Sequence, residues 1–144
     1  LLQVATQQRD LFEIFHEKLS THDGTSVRSY LHVMDMCDAI YKLMLWSNDQ
    51  KNFLEHINVA HDDVSSLKEL ITEVEKVTQS KIQVEHHPHL QEELASISAN
   101  NAKLKQLVNW KPQYKLEEMI NHQLRFYKIQ MNKKRSTLSM KPQL

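Results

Sequence analysis

Apolar residues recur along the chain at two periods, and the switching between them lays out the elements. Over residues 2 to 18, Val4, Gln8, Leu11, Phe12 and Phe15 fall at near-helical spacing and predict a first helix with one apolar stripe. Leu19 to His22 reads as a short extended piece that meets the turn Asp23-Gly24-Thr25. From Val27 to Val33 the period drops to two, with Val27, Leu31 and Val33 on one side and Arg28, Tyr30 and His32 on the other. That pattern predicts a strand with one packed face and one face that displays polar groups.

The helical period returns at Cys37, Ile40, Tyr41 and Met44, predicting a helix over about 35 to 47, and Phe53 to Ala60 reads as a strand. Beyond the polar connection His61-Asp62-Asp63, Ser66 and Glu69 form a capping box for a helix carrying Leu67, Leu70, Ile71, Val74 and Val77. Ile82 to Glu85 is a short strand, and His86 to Ser98, with Pro88 inside it, is irregular. Asn100 or Asn101 caps a short helix through Val108, Trp110-Lys111-Pro112 breaks the pattern, and a last helix over about 115 to 130 presents Leu116, Ile120, Leu124 and Tyr127. Strands alternate with helices, so the predicted class is α/β. Residues 1–130 form one lobe, and the tail 131–144, basic and poor in apolar residues, is expected to be disordered.

Composition narrows the chemistry. At 144 residues the chain buries one modest core. Lys plus Arg and Asp plus Glu number 18 each, so no global field draws nucleic acid or an anionic membrane, and any anion needs a local pocket. The lone cysteine, Cys37, forms no internal disulfide, which fits a reducing compartment. No apolar run approaches the roughly 20 residues that span a bilayer, and no signal-peptide layout opens the chain, so a soluble cytoplasmic protein without a membrane partner is expected. Gly24 is the one glycine. A dinucleotide fold needs glycines where a strand turns into a helix, so that backbone amides can approach the pyrophosphate, and this chain cannot assemble such a turn.

Other constellations carry less. His86, His87 and His89 cluster, with His56 and His61 elsewhere, but no cysteine pair and no His-Glu-x-x-His accompanies them, so a partly exposed loop is expected rather than a metal site. No serine or cysteine sits in a recognisable nucleophile turn. Lys128, Lys133, Lys134, Arg135 and Lys141 make the end basic, yet beyond Tyr127 no aromatics interleave, which reads as a solvated tail rather than a nucleic-acid surface.

The run His22-Asp23-Gly24-Thr25-Ser26-Val27-Arg28-Ser29-Tyr30-Leu31-His32-Val33-Met34-Asp35 resembles the Gly-Asp-Gly-x-x-x-Arg-(Asp/Ser)-(Tyr/Trp/Phe)-(Ile/Leu)-(His/Tyr)-Val-x-Asp signature of nucleotide-sugar 4-epimerases and 4,6-dehydratases, which are extended short-chain dehydrogenases/reductases. Three further pieces are similar to the family's and follow in order. These are Ile57-Asn58-Val59, Ser66 to Leu70, and Lys103-Leu104 through Asn109-Trp110-Lys111-Pro112 to Leu116-Glu117-Glu118-Met119-Ile120. The resemblance covers roughly residues 8 to 128 and corresponds to the last third or so of a full-length member.

The resemblance implies an α/β C-terminal substrate-binding lobe without the Gly-rich NAD-binding Rossmann half. It implies a UDP- or dTDP-sugar as partner, with NAD as cofactor only in full-length relatives. Arg28 holds the signature position that contacts the diphosphate, and a guanidinium suits phosphate oxygens through paired donors. Tyr30 and His32 share its face and line the site, while Asp35 is expected to cap the following helix, and Trp110 with Pro112 to fix a turn and a core contact. Dehydratase-type members continue their next strand into Arg-Pro-x-x-Asp-x-Arg-Tyr, where this chain reads His87-Pro88-His89-Leu90-Gln91-Glu92-Glu93-Leu94. His87 and Glu93 thus stand in substrate-binding positions with altered chemistry, and an epimerase-like register puts Glu93 in the ribose-binding acid position. The family's catalytic Tyr-x-x-x-Lys is absent: Tyr114 has Glu118 four residues on. A chain of this kind is expected to be catalytically silent alone, and to self-associate or to meet a missing N-terminal lobe.

Overall fold

The computed structural model describes residues 1–15, 18–49, 51, 54–87 and 94–139, with the side chains of 133–139 outside the description. In chain order the elements are α1 (Leu2–Ala5), β1 (Phe12–Ile14), β2 (Val27–Arg28), α2 (Val33–Ser47), β3 (Ser65–Ser66), α3 (Leu67–Thr78), β4 (Val84–His86), β5 (Ser96–Ile97), α4 (Ala102–Val108) and α5 (Leu116–Ser139). The strands form two small sheets: β1 pairs parallel with β4, while β2 lies between antiparallel β3 and parallel β5. The α/β class read from the periodicity is the class observed.

Two cores hold these layers. Val4 and Ala5 of α1, Val74 of α3, Ile82 and Ile120 of α5 bury together, and Ala39 of α2 packs with Leu104 of α4 and the fully buried Trp110. The α3 start is the most completely determined piece. Ser66 Oγ accepts from Glu69 N–H at 3.0 Å and Ser66 N–H donates to Glu69 Oε2 at 2.7 Å, the capping box expected from the sequence.

Several expectations are corrected. The helix predicted over 2 to 18 stops at Ala5, because the polar run Thr6 to Asp10 has nothing to bury and Gln7 takes a left-handed φ of 59°. Phe12 to Ile14 instead forms β1 against Val84 to His86, so the expected Ile82–Glu85 strand begins two residues later. The strand expected over 27 to 33 ends at Arg28, since β3 offers only two residues to pair with, and Ser29 turns to donate its hydroxyl to the His61 carbonyl at 2.9 Å. Residues 54–60 are irregular rather than a strand, and Phe53 lies outside the described residues. Their carbonyls are met by side chains, Ala60 by Asn101 Nδ2 at 2.9 Å and His56 by Lys103 Nζ at 3.2 Å, which substitute for a ladder. The stretch expected to be irregular through Ser98 contributes β5, and α5 runs to Ser139 rather than ending near 130.

Asn109 closes α4 at φ 49°, in the left-handed region that asparagine enters more readily than most residues.

Candidate functional site

The segment from Asp23 to Asp35 is anchored at both ends. At its start the Asp23 carboxylate accepts from Thr25 N–H at 2.9 Å, from Thr25 Oγ1–H at 2.7 Å and from Ser66 Oγ–H at 2.5 Å. The first amides of α3 then find partners in the same loop. Leu67 N–H donates to the Ser26 carbonyl at 3.0 Å and Lys68 N–H to Thr25 Oγ1 at 3.3 Å, so two of the four donors a helix start leaves open are satisfied by the signature turn. Thr25 and Ser66 are fully buried. Burial alone would raise the Asp23 carboxyl, but the Ser66 and Thr25 hydrogen bonds, helped by His22, outweigh it and hold its pKa at about 2.

At the far end, Asp35 does not cap α2 as expected. His32 is the N-cap: its Nδ1 accepts from Met34 N–H at 3.0 Å. Asp35, 1% exposed, reaches away from its own helix and accepts from Gln113 N–H at 2.9 Å and Tyr114 N–H at 3.3 Å, while its carbonyl accepts from Trp110 Nε1–H at 3.1 Å. The imidazole is the shorter path to the first amides of α2, which frees the carboxylate to hold the loop after α4. Trp110 fills the turn-and-core role expected of it.

Arg28 sits on β2 opposite Ser65 and Ile97, half-buried, with Nη1–H donating to the Val27 carbonyl at 2.8 Å. Tyr30 stands where two cavities meet. One, of about 780 Å³, is walled by apolar residues such as Leu70, Val74, Ile120 and Phe126 between α3 and α5; the other, of about 280 Å³, is lined by His61, Asp63, Glu73, Lys115 and Glu117. His32 borders the larger cavity, and Arg28 borders neither. The shared strand face expected for Arg28, Tyr30 and His32 therefore breaks after Arg28, because the ladder ends there.

His32 belongs to an aromatic cluster that the sequence did not reveal. Its ring stacks on Tyr114 with centroids 4.1 Å apart, and His122 of α5 meets both rings edge-on. Since His32 Nδ1 accepts from an amide, its Nε2 carries the proton in the neutral ring and donates to His122 Nδ1 at 3.1 Å. Partners 82 and 90 positions away leave no local periodicity to find them by.

His87 lies on the other sheet's edge, its N–H bonded to the Ile14 carbonyl at 2.8 Å and its ring stacked on Phe15. Its Nε2 makes no hydrogen bond, although Glu13 Oε1 stands 3.4 Å and Glu85 Oε1 3.8 Å away. The structure thus surrounds His87 with carboxylates. Glu93 lies outside the described residues, as does His89.

Among the described residues no group of three His, Cys, Asp or Glu side chains converges to hold a metal ion, and no helix is long and apolar enough to cross a membrane. Gly24, at φ 82°, lies in the turn that leads into β2, not in a strand-to-helix turn. Among the described residues no glycine stands in a turn from a strand into a helix, the turn that approaches a dinucleotide's pyrophosphate.

Comparison with known proteins places the chain among relatives of one family. The family profile described as GDP-mannose 4,6 dehydratase matches residues 8–123. The UDP-glucose 4-epimerase of Halalkalibacterium halodurans is 33% identical over 131 residues, covering 89% of this chain and 38% of that protein. The UDP-glucose 4-epimerase from Stenotrophomonas maltophila, solved with bound NAD and formylated UDP-arabinopyranose, superposes with a TM-score of 0.85 at 24% identity, over 91% of this chain and 39% of that one. A further UDP-glucose 4-epimerase crystal structure gives a TM-score of 0.80 at 29% identity, over 91% and 40%. The chain thus spans under half the length of the relatives it matches, and its fold is that of the C-terminal part of an extended short-chain dehydrogenase/reductase. It belongs to the nucleotide-sugar epimerase and dehydratase family that the GDP-mannose 4,6 dehydratase profile describes.

Proposed function

We propose that this chain is the nucleotide-sugar-binding portion of an NAD-dependent nucleotide-sugar 4-epimerase or 4,6-dehydratase, acting on a UDP- or dTDP-hexose and performing no redox step alone. The observation that carries this reading is the anchoring of β2: Asp23, Thr25 and Ser66 fix the strand that bears Arg28 against the start of α3. On binding, the guanidinium leaves the Val27 carbonyl and takes the diphosphate through paired donors. Tyr30 and His32 border the cavity between α3 and α5 that takes the sugar, and His87 and Glu93 belong to the segment that meets the nucleotide. NAD supplies the hydride chemistry when bound, and it is held by a lobe other than residues 1–130, which form the substrate-binding lobe ahead of a basic tail. A cytoplasmic setting fits the single thiol, Cys37.

A second reading, a non-catalytic relative that binds a nucleotide or a partner protein, is favoured by one observation. Glu13 and Glu85 place negative charge around His87, where the family carries a phosphate-binding cation. Titrating the chain with UDP and dTDP while following backbone amides near Arg28 separates the two. Binding that weakens by about 1.5 to 3 kcal/mol in Arg28→Ala supports the first reading, since a charged hydrogen bond is worth that much. Unchanged affinity removes Arg28 from the site, and no response at millimolar ligand leaves the interaction module.

A further inference from the structure

His32 and His122 meet in an arrangement that has no place for an added proton. His32 closes the front of α2: its Nδ1 accepts from Met34 N–H at 3.0 Å, and its Nε2–H donates to His122 Nδ1 on α5 at 3.1 Å. With both rings neutral, each of these nitrogens acts in the one role open to it. An imidazolium carries donors on both nitrogens, so one more proton turns one of the two acceptors into a donor and sets it against an N–H. Other histidines of the chain stand beside carboxylates that can receive such a proton's charge: His22 beside Asp23 and Glu69, His61 beside Asp63, His87 beside Glu13 and Glu85. Among the described residues, neither His32 nor His122 is paired with a carboxylate.

The elements around the pair do not supply one. From α2, the Asp35 carboxylate is occupied by the Gln113 and Tyr114 amides, and Asp38 by Lys42. From the loop ahead of α5, Tyr114 stacks its ring on His32, and Lys115 brings charge of the same sign as a proton. From α5, Glu118 accepts from Lys115 N–H at 3.0 Å, and Arg125 is again positive. Both imidazoles border the cavity of about 780 Å³, to which α3 presents only Leu70 and Val74. The titratable groups left on that wall are Tyr30 and the Leu1 amine, which burial and Arg9 hold below its ordinary pKa.

The proton goes to His122. His32 is 8% exposed and its Nδ1 faces the positive end of a 15-residue helix, whereas His122 lies inside α5 on an exposed face. Once protonated at Nδ1, His122 meets the His32 Nε2–H donor to donor and turns away, while the cap of α2 survives. We infer that the His32–His122 pair is a proton-operated latch, which ties the start of α2 to α5 when both rings are neutral and releases them when His122 is charged. It joins two walls of the cavity, and it stands on this geometry whatever the cavity binds.

A double-mutant cycle isolates the pair from the other histidines. His32→Asn keeps a side-chain acceptor for the cap, and His122→Phe keeps a ring against Tyr114. Urea unfolding of the parent, the two single variants and the double variant is measured at about pH 8 and about pH 5, the range in which imidazole changes charge. The coupling in the unfolding equilibrium constant is expected to be about fivefold at the higher pH, the worth of one net hydrogen bond, and to vanish at the lower. Equal coupling at both, or none at either, overturns the latch. Ring-nitrogen NMR of the parent chain does not depend on the variants folding. A scalar coupling across the His32 Nε2–H to His122 Nδ1 bond is expected at the higher pH and not at the lower, with the Met34 amide still protected from exchange. A coupling that persists in acid overturns the proposal, as does loss of the Met34 protection, which would put the proton on His32.

Discussion

The strand of Arg28 and the strand that leads to His87 are both short, both paired in parallel with a distant segment, and electrostatically opposite. Around β2 the nearby carboxylate of Asp23 is consumed by three donors and sits at the start of α3, where a helix favours negative charge. Around β4 the carboxylates of Glu13 and Glu85 stand partly exposed near the His87 Nε2, which hydrogen-bonds to neither. One strand has its carboxylate held ionised and tied up by local hydrogen bonds; the other leaves its carboxylates partly exposed. Family membership therefore does not guarantee a site of uniform quality. Of the two strands, β2 is the one to which the proposed function assigns the anion.

The largest expected effect tests whether β2 is as tightly held as this contrast requires. Asp23→Ala removes the acceptor for the Ser66 hydroxyl, the Thr25 hydroxyl and the Thr25 amide, with Thr25 and Ser66 fully buried, and is expected to destabilise the chain by about 3 kcal/mol. Glu85→Ala, on the exposed side of β4, is expected to change stability by less than about 0.5 kcal/mol. Urea unfolding of both variants checks the pair, and similar losses would erase the distinction between the strands.

Acid sharpens the same comparison. The folded pKa of Asp23 is depressed to about 2, against about 3.9 in an unfolded chain, so its contribution is fully present above the unfolded value and is lost as pH falls through the folded one. The expected loss is about 2.5 kcal/mol between roughly pH 5 and pH 1, at 1.36 kcal/mol per unit. Asp62, held low by Lys105 and Asn101, and Glu75, held low by Lys81 and the Ile82 amide, lose stability in the same direction. Melting curves of the parent chain and of Asp23→Ala at descending pH separate the contributions. The variant should lack the component that belongs to Asp23, and parallel curves would show that the carboxylate is not depressed.

How much of this was legible depended on how far apart the partners lie. The capping box of α3 was readable because Ser66 and Glu69 are three residues apart and both side chains act on the same helix turn. The α2 helix was readable from its period alone. His32 as its cap was not, because the strand alternation through Val33 pointed His32 toward a ligand face, and only the end of the β3 ladder releases it to serve the helix. The first predicted helix failed because four apolar residues and Gln8 matched a helical period by chance across a polar run, while the true partner of Phe12 is Val84. Of the site residues, Arg28 lies on the expected strand, whereas the partners of His32, Tyr114 and His122, come from a loop and a helix whose approach no local pattern records.

The smallest expected effect bears on whether the β4 carboxylates matter to a nucleotide at all. Replacing Glu85 by Gln, together with Glu13→Gln, removes two partly exposed negative charges beside His87 without disturbing the β1–β4 ladder, whose bonds are made by backbone. Charges of this kind act on a diphosphate through solvent and are screened beyond about 8 Å at physiological ionic strength, so UDP affinity should rise only about twofold at low salt. The gain should vanish at high salt, where a directly hydrogen-bonded residue would retain most of its effect. A double variant whose UDP affinity is unaltered at every salt concentration would place the strand of His87 outside the nucleotide's reach, leaving β2 as the sole contributor among the described strands.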